Sequence, residues 1–186
     1  MKEATIPHFL LAAALSLACS FLLMFLLARA EEPMEPRILG RQMPEFGMGM
    51  LTMPEATVSD WDFRGQLTLF NVFASWCADC ADEQPILMEI AERGDIQVMG
   101  LNWMDNRADA IDWLKKIGDP YSRSAFDDDG DLAERLGVSS APESFIVDQN
   151  GMIRYGHVGA ITREVWAKTL EPIFMVVAQE ELKRVD

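Results

Sequence analysis

Residues 38–186 alternate between strand-like and helix-like patterns, which predicts an α/β domain, a mixed sheet flanked by helices, behind an N-terminal transmembrane helix. Three observations carry this. Leu67 to Ala74, LTLFNVFA, is too uniformly apolar for a half-exposed strand and fits a central strand covered on both faces. Ser144 to Val147 and Met152 to His157 flank Asp148-Gln149-Asn150-Gly151, a hairpin turn, because Asn and Gly tolerate positive φ. Phe9 to Ala28 runs twenty residues without an ionisable group except the thiol of Cys19, enough at 1.5 Å per residue to cross a hydrocarbon core of about 30 Å.

The remaining elements follow in order. Cys77 to Arg93 carries Ile86, Leu87, Ile90 and Ala91 at helical spacing and closes at Gly94. Ile96 to Leu101 reads as a second strand. Ala108 to Ile117 places Ile111, Leu114 and Ile117 on one helical face before Gly118. Asp131 to Leu136 forms a short helix stopped by Gly137, and a last helical stretch begins near Thr162, with Pro172 kinking it or starting a second piece. The predicted order is β-α-β-α, then a helix, the hairpin and a helix, with the hairpin supplying antiparallel edge strands.

Length and charge narrow the function classes. A chain of 186 residues suits one domain of about 150 residues plus an extra segment. It divides into a tail (1–8), the transmembrane anchor (9–28), a linker (29–37) rich in Pro and Glu, and the domain (38–186). A cleavable signal is the competing reading, through the small-x-small tripeptide Ala28-Arg29-Ala30, but the apolar run exceeds the usual signal core of about 7 to 15 residues. Positive-inside counting, Lys2 before the span against Arg29, Arg37 and Arg41 after it, points to a cytoplasmic domain, yet long domains translocate largely regardless of such charges. Sixteen basic against thirty acidic residues give a net charge of -14, which repels phosphate backbones and argues against a nucleic-acid partner.

The chemistry sits where the first strand meets its helix, at Ser75-Trp76-Cys77-Ala78-Asp79-Cys80. Cys77 stands at a helix N-terminus, where free backbone N–H groups and the dipole stabilise a thiolate, making that sulfur a nucleophile. Cys80, one turn on, can attack a mixed disulfide formed on Cys77 and release the partner. Other readings of the pair are weaker. As a staple it closes a loop of only four residues, worth roughly 2 kcal/mol in the chain-entropy model. As half of a zinc site it has only His8, His157 and Cys19 for company. As two small core residues it needs no chemistry at all.

The run FNVFASWCADC, a helix, and then GVSSAPESFIVDQNGMIRYGHVG resemble thioredoxin-like proteins, and most closely the membrane-anchored CcmG/DsbE thiol reductases of cytochrome c maturation. The resemblance covers nearly all of Ile38 to Phe174. It implies that Trp76, Cys77 and Cys80 form the redox site, that Glu83 and Glu143 are the family's acidic residues near the thiols, and that Pro142 is the cis-proline facing the disulfide. Ala78-Asp79 lacks the proline common between the cysteines in that family, so reduction potential and cysteine pKa do not carry over. Nearby carboxylates disfavour a thiolate and so destabilise the reduced pair, which points toward an electron donor.

The expected function is thiol:disulfide reduction in cytochrome c biogenesis by a domain tethered to the inner membrane and facing the periplasm. The implied partners are an apocytochrome c haem-binding segment or a maturation protein holding it, and a DsbD/CcdA-type membrane electron donor. No bound cofactor is required. A general periplasmic reductase of the TlpA or ResA kind would use the same cysteines. Met43, Met48, Met50 and Met53 suggest a copper chaperone, though methionine more often fills gaps against a core. The run Asp127-Asp128-Asp129-Gly130-Asp131 lacks the glycine and glutamate positions of a calcium loop and reads as a helix-start cluster. His157 takes no role.

Overall fold

The computed structural model describes residues 16–21, 24 and 40–185. The chain divides into two units, Met1–Glu35 and Pro36–Asp186. In the first, residues 16–21 and 24 are helical, with Leu17, Phe21 and Met24 exposed. Among the described residues no helix is long and apolar enough to cross a membrane. Most of the expected anchor, and all of the expected tail, lie outside the described residues, as does the linker.

The second unit is built on strands β1 (Arg41–Gln42), β2 (Gly47–Gly49), β3 (Thr57–Ser59), β4 (Thr68–Phe73), β5 (Gln97–Trp103), β6 (Arg123–Asp127), β7 (Glu143–Val147) and β8 (Met152–Val158). Helix α1 (Ala78–Arg93) follows β4, α2 (Arg107–Ile117) follows β5, and α3 (Asp131–Leu136) follows β6. A short α4 (Arg163–Val165) runs through a π turn at Trp166–Leu170 into α5 (Glu171–Val185). The six-stranded sheet has the order β1-β8-β7-β4-β5-β6, and β2 and β3 form a separate antiparallel pair. β4 pairs parallel with β5 and antiparallel with β7, and all six of its residues are buried, as its unbroken apolar run predicts.

Alternation along β4 sorts the core into two layers. Leu69 and Phe73 pack with Ile86, Leu87 and Ile90 of α1, Leu114 of α2, and Trp166, Leu170 and Phe174 of the last helical stretch. Phe70 and Val72 point the other way, onto Phe63, Val58, and Leu132 and Leu136 of α3. Each such side chain contributes roughly 1.5–3 kcal/mol by leaving water. Met43 is buried, and Met48 and Met50 pack against this second layer, while Met53 is exposed. The methionine cluster is therefore spread along a packed hairpin.

Three expectations are corrected. β6 was not foreseen: RSAFD offers little apolar pattern, and its strand character comes from pairing with β5. The hairpin β7–β8 is antiparallel as expected but forms neither edge, because β7 lies against β4 and β8 is covered by β1. The buried face of α2 is Ala110 and Leu114, with Ile111 half-buried and Ile117 exposed, since the helix's last residue overhangs the core. The turn widened to π form directly precedes Pro172, which has no N–H to donate and crowds the carbonyl of Lys168.

Candidate active site

α1 begins at Cys77, whose sulfur accepts the Cys80 backbone N–H at 3.1 Å as the helix N-cap, and it ends at Gly94 in the left-handed conformation that a residue without Cβ adopts freely. Cys77 and Cys80 are joined by a disulfide, S–S 2.05 Å. Cys77 keeps 6% of its surface exposed and Cys80 none. An incoming sulfur therefore meets Cys77 first, and Cys80 waits behind it.

The loop carrying Cys77 is held by the segment after β5. Asp105 accepts the Ser75 N–H at 2.6 Å and the Ser75 hydroxyl at 2.7 Å, and Asn102 Nδ2 donates to the same carboxylate at 3.0 Å. The Trp76 indole N–H donates to the Met104 carbonyl at 3.0 Å, and its ring lies 6.0 Å from that of Trp103. Met104 adopts φ +46°, a conformation costly for a side-chain-bearing residue. Trp76 and Met104 remain more than half exposed, giving the mouth of the site an apolar rim.

Glu83 lies one turn beyond Cys80 on α1 and is buried. Its carboxylate accepts Asn71 Nδ2 and the Ile161 N–H, both at 2.8 Å. Burial pushes its pKa up to about 7, with the two donated hydrogen bonds pulling the other way. Across the sheet, Glu143 is the register partner of Val72, so Pro142 arrives level with the end of β4 from which the redox loop departs. The Ala141–Pro142 bond is cis, and Ala141 packs against the cluster containing both cysteines. Glu143 is fully buried and accepts the Ser139 N–H at 3.2 Å, which ties it to the loop ahead of Pro142. Strand alternation puts it on the face of Phe145 and Val147, opposite that of Ser144, whose hydroxyl accepts from Asn71 Nδ2.

Trp76, Cys77, Cys80 and Glu83 thus sit on one loop and helix start, with Pro142 and Glu143 brought in by β7. Sequence reasoning missed Asn71, Asp105 and Tyr121. Asn71 left a readable signal, a primary amide inside a fully apolar strand that must find partners. Asp127, from the acidic run, caps α3 by accepting the Leu132 and Ala133 N–H groups, as the helix-start reading expects. No three His, Cys, Asp or Glu side chains converge as a metal site among the described residues.

A mixed sheet with a disulfide at a strand-to-helix junction and a cis-proline alongside defines a class, the thioredoxin-like thiol:disulfide oxidoreductases. Residues 38–171 match the Redoxin family. The thiol:disulfide interchange protein DsbE of Vibrio cholerae is 40% identical over 141 residues, covering 76% of each chain. That of Allochromatium vinosum is 38% identical over 172 residues, covering 92% of each. A DsbE-type thiol:disulfide interchange protein from Chlorobium tepidum superposes with a TM-score of 0.62 at 27% identity, over 74% of this chain and 96% of that one. The chain belongs to the DsbE (CcmG) family of redoxins, and it is a thiol:disulfide oxidoreductase.

Proposed function

We propose that the protein is a reductant of cytochrome c maturation, anchored by residues 9–28 in the inner membrane with its domain, residues 38–186, in the periplasm. The observation that carries the direction is the buried carboxyl of Glu83 one turn beyond Cys80. A negative charge there opposes the helix dipole and destabilises the reduced pair, which makes it a readier electron donor.

In the cycle, the Cys77 thiolate attacks the disulfide of a client, and one client sulfur leaves as thiolate. Cys80 then loses its proton to Glu83 and attacks the Cys77 sulfur. The second client sulfur leaves, so the client gains two electrons and the Cys77–Cys80 disulfide forms. A base with pKa near 7 suits that proton transfer at neutral pH. Trp76 and Pro142 take the role of flanking the client strand at the sulfur pair. Support comes from Ala141, which packs against the cluster that holds both cysteines, and from Glu143, which accepts the Ser139 N–H in the loop ahead of Pro142.

The client is an apocytochrome c haem-binding segment, or a maturation partner holding it. Because the periplasm is kept oxidising, the spent disulfide is recharged by a DsbD/CcdA-type membrane donor. Cys80→Ser stalls the mixed disulfide on Cys77 and captures the client for identification. Recovery of cytochrome-maturation clients supports the proposal. Recovery of unrelated thiol proteins alone overturns it in favour of a general reductase.

A further inference from the structure

Asn71 lies at the centre of β4 with no exposure, in a strand whose residues are all buried. Its Oδ1 accepts the Tyr121 hydroxyl at 2.6 Å, and its Nδ2 donates to Glu83 at 2.8 Å and to the Ser144 hydroxyl at 3.0 Å. Tyr121 reaches it because the register partner of Asn71 on β5 is Gly100. A Cβ at Gly100 would stand 2.6 Å from Ser124 Oγ, 2.8 Å from the Phe73 ring and 3.0 Å from the Tyr121 ring. In that space the Tyr121 ring stacks on Phe73, centroids 4.6 Å apart and planes 17° apart.

A buried amide has two orientations, and its neighbours choose between them. With Oδ1 toward Tyr121, the phenol hydrogen has an acceptor and the NH2 faces Glu83, an arrangement that suits an ionised carboxylate. Turned over, the carbonyl faces Glu83, which suits only a protonated carboxyl, and the phenol hydrogen loses its single acceptor among the described residues. An unsatisfied buried donor is costly, so the hydroxyl weighs against the turned-over form.

We propose that the Tyr121 hydroxyl is a positioning group that locks Asn71 with its NH2 toward Glu83, and thereby holds Glu83 in the form able to take a proton from Cys80. This rests on the reading of Glu83 as proton acceptor given above. Other titratable groups face the network. Cys80 shares α1; Asp119, whose carboxyl burial holds above its ordinary value, accepts the Tyr121 N–H. His157 is the register partner of Ser144 and is held below its ordinary value by burial, with Tyr155 two residues before it on β8. Asp79 and Asp82 on α1 are exposed, and Glu143 lies on the opposite face of β7. Because these groups surround the network, the test reads Glu83 itself.

The experiment follows the Glu83 carboxyl carbon by NMR against pH in glutamate-labelled full-length protein, assigned by its loss in Glu83→Gln. Tyr121→Phe keeps the ring stacked on Phe73 and removes only the hydroxyl. The expected result is a rise of about one pH unit in the Glu83 midpoint, a tenfold gain in proton affinity. Asn71→Ala raises it too, and adding Tyr121→Phe to Asn71→Ala moves it no further. An unchanged midpoint in Tyr121→Phe means that the tyrosine only packs, and overturns the proposal; so does a full additional shift in the double variant. Tyr121→Phe decides alone if Asn71→Ala does not fold. Failure of the underlying reading is separable: the exchange rate of the parent protein would then ignore the Glu83 titration, whatever Tyr121→Phe does to the midpoint.

Discussion

Glu83 is the residue at which stability and chemistry meet. Its pKa stands at about 7 when folded against an ordinary 4.5, so between those values the native state binds more protons than the unfolded chain. Stability from this group therefore falls as pH rises from 4.5 to 7, and the cost, on the order of 3 kcal/mol, is fully present above pH 7. Below pH 4.5 it is absent. Glu83→Gln removes the ionisation, so the denaturation midpoint of the variant is expected to lose this downward slope across the window; an identical slope would place the titration elsewhere. The same substitution, by removing the base, should slow resolution of the mixed disulfide, read as slower client release in stopped-flow exchange. At this scale the Cys77–Cys80 pair was legible because its spacing is local, whereas Glu83 and Pro142 were expected only from the family resemblance. Asn71 and Tyr121 were not, because they meet across fifty positions of sequence.

Two elements position the redox loop, and each invites a substitution. Gly100 is the strand glycine whose absent side chain admits Tyr121, with a Cβ there only 2.8 Å from the Phe73 ring. Gly100→Ala overpacks this layer and should cost about 1–3 kcal/mol, measured as a lower urea midpoint at constant m-value. The second element is the turn after β5. Asp105→Ala leaves the Ser75 N–H and hydroxyl without their acceptor and is expected to destabilise the fold by about 1–3 kcal/mol. Faster hydrogen exchange at the Ser75 amide would mark the loosening, and unchanged protection there would show that the loop holds without Asp105. Periodicity located β4, α1, α3 and the hairpin closely, since each buries residues at its own repeat. It missed β6, whose Ser124 and Asp127 are buried polar residues, and it misplaced the hairpin at an edge, because which strand lies beside which is decided between elements.

For the whole molecule, the proposed anchor is open to a direct test. The full chain is expected to partition into lipid vesicles, while a fragment starting at Pro36 stays in the aqueous phase with its thiol exchange intact. Vesicle binding by the fragment, or none by the full chain, would contradict an anchor at residues 9–28. The sequence alone determined the class of chemistry, because a nucleophilic sulfur needs only a helix start and a second cysteine one turn away, both local properties. It also determined the α/β alternation, because hydrophobic periodicity is a property of each segment. Tertiary structure alone decided the sheet order and the burial of Glu83 under β4, and it joined Glu83, Asn71 and Tyr121 into one hydrogen-bonded group. Those outcomes depend on which distant faces come together to exclude water, and the proton affinity of a buried carboxyl follows from that exclusion.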